Sequence, residues 1–303
     1  MSEIAILYSG GTDSTAAAAL AAGAFPEVKL LTFRHSGHAR IENSARNVRR
    51  LRDRFPDTRF AHEYYDIDRL YRYVTYAEYW KHVKRYGLFN LATCLFCRLA
   101  MHTRALVYCI ENGIEHIADG ANVNSTNFNE QMVEVVSEIQ KLYCHFGITY
   151  SAPVYHYDFP TDIDWFHKLG LSEISRGRPE PAAPREGRPP ALRFCCGRTS
   201  WDPDQPEGAS TTGEILTKFG ILDQDNVKGT PADREIQPRC FQLVLLNLFA
   251  VGYYLPGFGL ERYRHIAHRL LKDKITLIAR EVERYLEKDK RSRLARWMGP
   301  RLG

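Results

Sequence analysis

Residues 4–15 read Ile-Ala-Ile-Leu-Tyr-Ser-Gly-Gly-Thr-Asp-Ser-Thr, and the reading of the fold rests on them. The apolar first half has the pattern of a buried strand, and an alanine-rich segment of high helix propensity follows Thr15. Between them lies Ser9-Gly10-Gly11-Thr12-Asp13-Ser14. A strand, a glycine turn and a helix start converge backbone N–H groups on one point, where the helix dipole adds positive potential. Gly10 and Gly11 let a phosphate approach the backbone, Ser9, Ser14 and Thr15 add hydroxyl donors, and Asp13 is suited to hold Mg2+ against the phosphates. The plainer alternative is an ordinary strand–helix turn with a Ser/Asp cap. The whole hexad at the first strand favours nucleotide binding.

Outward from the loop, the strand–turn–helix pattern repeats. Further strands are expected over 28–34, 59–67, 114–118 and 148–155, and helices over 41–55, 70–86, 97–112 and 130–146. This alternation implies the α/β class, a doubly wound, mainly parallel five-stranded sheet that binds ligands at the carboxyl ends of its strands. Asp119-Gly120-Ala121-Asn122 follows one of those strands, so the fold can bring it to the Ser9–Ser14 turn. Residues 176–190, rich in proline and arginine, read as an extended loop. Helical periodicity returns over 234–254, 260–272 and 274–297. The expected organisation is a nucleotide-binding α/β domain (1–175), a Pro/Arg-rich loop carrying Cys195-Cys196 (176–204) and a basic helical C-terminal subdomain (205–303).

The 303 residues suffice for one α/β domain with a smaller appendage. With 25% charged residues and a mean hydropathy of −0.37, the composition is that of a soluble globular chain. The longest apolar stretch, 241–255, is too short for a membrane span and contains Gln242 and Asn247. No basic stretch precedes the alanine run, so it does not read as a secretion signal, and the expected location is the cytoplasm. Residues 261–303 hold thirteen Lys/Arg against six Asp/Glu, an excess larger than the +5 of the whole chain. Such a tail suits a nucleic-acid backbone, although Glu–Lys and Glu–Arg pairs at helical spacing equally describe a solvated face. Within 70–86, Tyr71, Tyr73, Tyr76, Tyr79, Trp80 and Tyr86 interleave with Arg72, Lys81, Lys84 and Arg85. One buried and one solvated helix face is preferred there over a base-stacking surface.

Seven cysteines in a chain expected in the cytoplasm argue against a disulfide scaffold. Two clusters stand out, Cys94-Leu95-Phe96-Cys97 and Cys195-Cys196. A C-x-x-C that opens a helix sets two thiols on one side, under a helix N-terminus that favours thiolates. Three readings stay open. Cys94, Cys97 and one of Cys195/Cys196 suit three irons of a 4Fe–4S cluster. All four suit structural zinc, although adjacent cysteines fit one tetrahedral ion poorly, and a metal-free redox pair or persulfide carrier is the third. Cys109, Cys144 and Cys240 read as core residues on apolar helix faces.

The hexad resembles the PP-loop of the ATP pyrophosphatase superfamily; it is neither a Gly-Lys-Ser/Thr P-loop nor a dinucleotide fingerprint. Cys94-x-x-Cys97-Arg98, a helix containing Ala105, and Ile117-Ala118-Asp119-Gly120-Ala121-Asn122 are similar to the centre of its sulfur-transfer branch. That branch includes the tRNA 2-thiocytidine thiolases and the sulfur transferase that matures the nickel-pincer cofactor. Cys196-Gly197-Arg198 is similar to the Cys-x-x-Arg region of the latter, and the resemblance covers about residues 1–200. It implies an adenine nucleotide α-hydrolase-like fold, ATP and Mg2+, and a 4Fe–4S cluster on Cys94, Cys97 and Cys195, with zinc the alternative. Phosphates would lie on Ser9, Gly10, Gly11, Thr12, Asp13, Ser14 and Thr15, and adenine along the second strand near Phe33. Gly120 and Asn122 would border the nucleotide, and Arg98 or Arg198 would offset phosphate charge.

The implied reaction adenylates a substrate carbonyl oxygen, releases pyrophosphate, and lets sulfur from an open iron or from a persulfide on Cys195 or Cys196 displace AMP. Three departures leave the substrate open. Thr12 stands where most such thiolases carry lysine, Asn122-Val123-Asn124 lacks the carboxylates that often follow Gly-x-Asn, and no second C-x-x-C pair lies at either end. The alternative is a nitrogen-transferring ligase such as the 7-cyano-7-deazaguanine synthases, with structural zinc, but their four closely spaced C-terminal cysteines are absent. Intact Ser9, Asp13 and Ser14 argue against a nucleotide-binding protein with a dead site. Expected partners are tRNA or a small-molecule substrate, with no membrane and a homodimer possible; the sulfur donor is not legible.

Overall fold

The first strand sends its apolar residues alternately into two layers. The computed structural model describes residues 3–91, 93–122, 131–157, 201, 206–209, 211–223, 239–241, 248–298 and 301–302. In it, β1 (Glu3–Leu7) turns Ile4 and Ile6 to one face and Ala5 and Leu7 to the other, all buried. The chain continues through α1 (Thr12–Ala22), β2 (Glu27–Arg34), β3 (His38–Ala39), α2 (Ser44–Arg54), β4 (Arg59–Asp66), α3 (Asp68–Tyr76), α4 (Tyr79–Tyr86) and α5 (Thr93–Asn112). Then follow β5 (His116–Asp119), α6 (Val133–His145), β6 (Thr149–Ser151), α7 (Thr212–Lys218), β7 (Arg239–Cys240), α8 (Leu260–Leu286), α9 (Leu294–Trp297) and β8 (Arg301–Leu302).

The fold is a doubly wound α/β sheet in the order β6-β5-β1-β2-β4-β8, parallel throughout except for β8, which adds antiparallel to β4. The chain runs outward from β1 through β2 to β4, then returns to the other side of β1 for β5 and β6. The order therefore reverses between β1 and β5, the switch point where open α/β sheets hold ligands. Helices α1, α2 and α7 cover the face of Ile4 and Ile6, and α3, α5, α6 and α8 cover the other. Ala16, Ala17, Ala18 and Ala19 are buried, which lets α1 lie close on the sheet with no polar face of its own.

Three expectations change on folding. The stretch 70–86 is two helices, parted where Glu78 takes a left-handed φ of 55°. Lys274 of α8, fully buried, donates to the carbonyls of Thr75 (3.2 Å) and Ala77 (2.7 Å) and so caps α3 from outside. Burial pulls its pKa down to about 8. The stretches 260–272 and 274–297 are instead the continuous α8 followed by the short α9, because Asp273 bonds outward to Arg85 and Tyr86 rather than ending the helix. Within 234–254, the described residues begin as the extended β7, drawn out of helix by pairing with β3. Residues 158–200, with Cys195, Cys196 and Arg198, lie outside the described residues. Among those described, no helix is long and apolar enough to cross a membrane.

Candidate functional site

The turn after β1 is braced from within and from both sides. Gly10 has a φ of 81°, and a Cβ there would overlap the Cα of Ser44 at the start of α2. Asn47 of α2 donates from Nδ2 to the Gly10 carbonyl at 2.9 Å. Ser9 Oγ accepts the Gly11 N–H at 3.2 Å and lies 3.0 Å from Ser14 Oγ, which donates to the Gly11 carbonyl at 3.2 Å. Helix α1 then begins at Thr12 with no side-chain cap on Gly11, the arrangement that presents a helix start to an anion. Thr12 and Thr15 are buried, the Thr15 hydroxyl lying 3.3 Å from that of Tyr8. Asp13 Oδ1 accepts from Thr212 at 2.7 Å, a residue 199 positions later whose helix is capped by the Thr211–Glu214 box. No spacing in the sequence announces that contact.

At the adjacent strand end, a Cβ on Gly120 would stand 2.5 Å from the Ser14 nitrogen and 2.8 Å from the Asp13 carbonyl carbon. The two strand-end motifs are thus in direct backbone contact. Asn122 is buried and spends its amide on the Tyr157 carbonyl at 2.8 Å, while its N–H meets Gln131 at 3.3 Å. Arg98 is buried as well, pairing with Asp119 at 2.6 Å and reaching Tyr150 (3.3 Å) and Gln131 (3.2 Å). Burial alone would raise the Asp119 pKa; Arg98, His102 and the Ala121 N–H outweigh it and hold the carboxyl at about 2. Burial holds His102, 3.3 Å from the same carboxylate, down to about 4 and therefore neutral near pH 7. Phe33 sits at the end of β2 with its ring in the core near Tyr65, and its carbonyl faces His38 Nδ1 at 3.1 Å.

Cys94 and Cys97 share the first turn of α5, Cys94 half-buried and Cys97 buried. Cys97 Sγ lies 3.2 Å from Nε2 of His35, the residue after β2, and the next side chain, Arg98, reaches Asp119 at the end of β5. The start of α5 therefore touches the ends of both strands that flank β1. His35 stacks on Tyr71 at 4.8 Å and meets the tilted ring of His38 at 3.9 Å, and burial with the neighbouring His38 lowers its pKa to about 4. One donor atom each of His35, His38 and Cys240 lies within 4.8 Å of the others. Among the described residues this is the one His/Cys/Asp/Glu group so arranged. Cys240, expected in the core of a helix, lies instead on β7 opposite His38, because that segment is extended. The signal for the histidines was present as His35-Ser36-Gly37-His38 directly after a strand; for Cys240 there was none.

The aromatic segment also divides. Tyr71 and Tyr86 are buried, but Tyr76 and Trp80 are 64% and 74% exposed, beside Lys81, Lys84 and Arg85. The preferred reading of one buried face thus leaves out two large rings that remain in solvent.

Neither a family model nor a curated protein sequence matches the chain. Among solved structures, the chain is similar to the crystal structure of a predicted subunit of tRNA methyltransferase from Methanocaldococcus jannaschii. The identity is 16%, the match covers 57% of this chain and 75% of that one, and the TM-score is 0.31.

Proposed function

We propose that the chain binds ATP at the Ser9–Ser14 turn, adenylates a substrate oxygen with release of pyrophosphate, and then exchanges the adenylate for sulfur. One observation carries this reading: Cys97 and Arg98, consecutive on α5, reach the ends of β2 and β5, and the strand between them ends in the glycine turn. A cluster held by Cys97 would thus lie at the same ends of the strands as the phosphates. The Ser9 and Ser14 hydroxyls and the first amides of α1 would hold the phosphates, and Asp13, kept in place by Thr212, would position Mg2+. A substrate carbonyl oxygen attacks the α-phosphorus and the bond to pyrophosphate breaks; sulfur then adds at the carbonyl carbon and AMP leaves. A 4Fe–4S cluster on Cys94, Cys97 and Cys195 would supply an open iron to carry sulfide. Because Arg98 already pairs with Asp119, its part in this reading is to fix the β5 end. Exposed Trp80 and Tyr76 with Lys81, Lys84 and Arg85 suit a single-stranded RNA substrate such as a tRNA loop.

The test is pyrophosphate release from ATP–Mg2+ with bulk tRNA, followed by analysis of the RNA for thiolated nucleosides. Release with thiolation supports the reading. Release without thiolation when a nitrogen donor is supplied supports the nitrogen-transferring ligase, and no ATP binding overturns both.

A further inference from the structure

The turn after β2 builds a donor set that the ATP reading does not use. His38 N–H donates to the His35 carbonyl at 2.9 Å, closing a tight turn that brings the two imidazoles to 3.9 Å, tilted against each other. The chain then forms β3, which pairs antiparallel with β7 so that His38 stands opposite Cys240, and Phe241 N–H donates to the Gly37 carbonyl at 3.0 Å. Directly opposite residues in such a pair carry their side chains on one face, with Cβ atoms about 5 Å apart. The thiol and both rings are thereby set on a common point. A ribbon of two residues per strand is too small to hold itself together, and this one joins segments some two hundred positions apart.

We propose that His35, His38 and Cys240 bind a zinc-type divalent ion that clamps the β7 segment to the carboxyl end of β2. Two imidazoles and a thiolate are the borderline-soft donors zinc prefers, and ligands around such an ion stand about 3.3–3.8 Å apart, given metal–nitrogen and metal–sulfur bonds of about 2.0 and 2.3 Å. The present spacing, within 4.8 Å, closes to that by side-chain rotation. The outer contacts suit the role. His38 Nδ1, 3.1 Å from the Phe33 carbonyl, is the protonated nitrogen, which directs Nε2 to the ion. His35 is the adjustable ligand: Nδ1 now accepts the Gly37 N–H at 3.0 Å and Nε2 faces Cys97 Sγ at 3.2 Å, so one of these partners gives way on binding. This site stands independently of what the glycine turn binds.

Full-length protein, stripped with a chelator, is titrated with Co2+ as a spectroscopic stand-in for zinc. The expected result is one equivalent bound with tetrahedral d–d bands and a thiolate-to-cobalt charge-transfer band, both abolished by Zn2+. Cys240→Ser should remove the charge-transfer band, and His38→Gln should weaken Co2+ binding at least about tenfold. If Cys240→Ser fails to fold, protection of Cys240 from alkylation by Zn2+ in the wild-type chain, read by peptide mass, gives the same answer. Absence of a band in the wild type, a band that survives Cys240→Ser, or no zinc protection of Cys240 overturns the site. ATP binding measured on the same samples keeps the two readings apart: an intact cobalt spectrum without ATP binding removes only the nucleotide proposal.

Discussion

Gly120 lies so close to Ser14 that a methyl group on its Cα would stand 2.5 Å from the Ser14 nitrogen. The obstacle is backbone at the first turn of α1, which cannot swing aside as a side chain can. Gly120→Ala is therefore expected to cost about 1–3 kcal/mol through overpacking and to push the glycine turn out of shape. Urea denaturation and ATP titration check this, and wild-type values for both would refute the packing argument.

Asp13→Asn keeps the hydrogen bond from Thr212 but removes the charge that would hold Mg2+. Pyrophosphate release is expected to fall about 100-fold or more with little change in stability, the scale seen when one transition-state electrostatic contact is lost. Steady-state release against Mg2+ concentration reports it. Equal rates in the two proteins would move the metal away from Asp13.

Breaking the buried Arg98–Asp119 pair is expected to be severe. Arg98→Ala leaves a buried carboxylate without its guanidinium and should cost about 3–5 kcal/mol, measured as the shift in urea midpoint. A shift below about 1 kcal/mol would mean that the pair is not desolvated.

Acid should destabilise the fold in two stages. His62 and His102 have folded pKa values of about 4, lowered chiefly by burial, so the unfolded chain takes up their protons first. Their contribution is whole above about pH 6.5 and is lost as the pH falls towards 4. Asp119, held at about 2, adds a contribution that is whole above about pH 4 and is lost through pH 2. Urea midpoints across this range follow both stages, and the double replacement His62→Gln, His102→Gln should shrink the first without abolishing it, since His35 is held at about 4 as well. A midpoint that stays constant from pH 7 to 4 contradicts neutral buried rings.

Trp80 is 74% exposed, so Trp80→Ala should leave stability unchanged within about 0.5 kcal/mol. If bases stack on it, single-stranded RNA affinity falls by about 1–3 kcal/mol. Lys84→Ala should instead reduce the slope of log affinity against log salt by about one phosphate contact. Fluorescence anisotropy at several salt concentrations separates the two effects, and unaltered RNA binding in both variants would free this surface from the substrate.

Local pattern revealed much of this molecule. The alternation in Ile4–Leu7, the glycine pair and the alanine run dictate a strand, a tight turn and a buried helix, because periodicity and φ preference act within a few residues. Asp119-Gly120 was legible as a strand-end turn for the same reason. The break at Glu78 was not, since Lys274 imposes it from two hundred residues away by taking the carbonyls of Thr75 and Ala77. Nor was the burial of Arg98: the resemblance sets it towards the phosphates, and only the structure shows it paired with Asp119 at the end of β5.

The sequence by itself determined the class of fold and the strand ends that carry the glycine turn and Asp119-Gly120, since strand and helix periods, glycine turns and parallel connectivity are properties of short stretches. Tertiary structure alone decided which groups meet there. Thr212 reached Asp13, Cys240 came opposite His38, and Cys97 came beside His35 only when helices and ribbon packed, because such contacts depend on the three-dimensional path of the chain rather than on spacing along it.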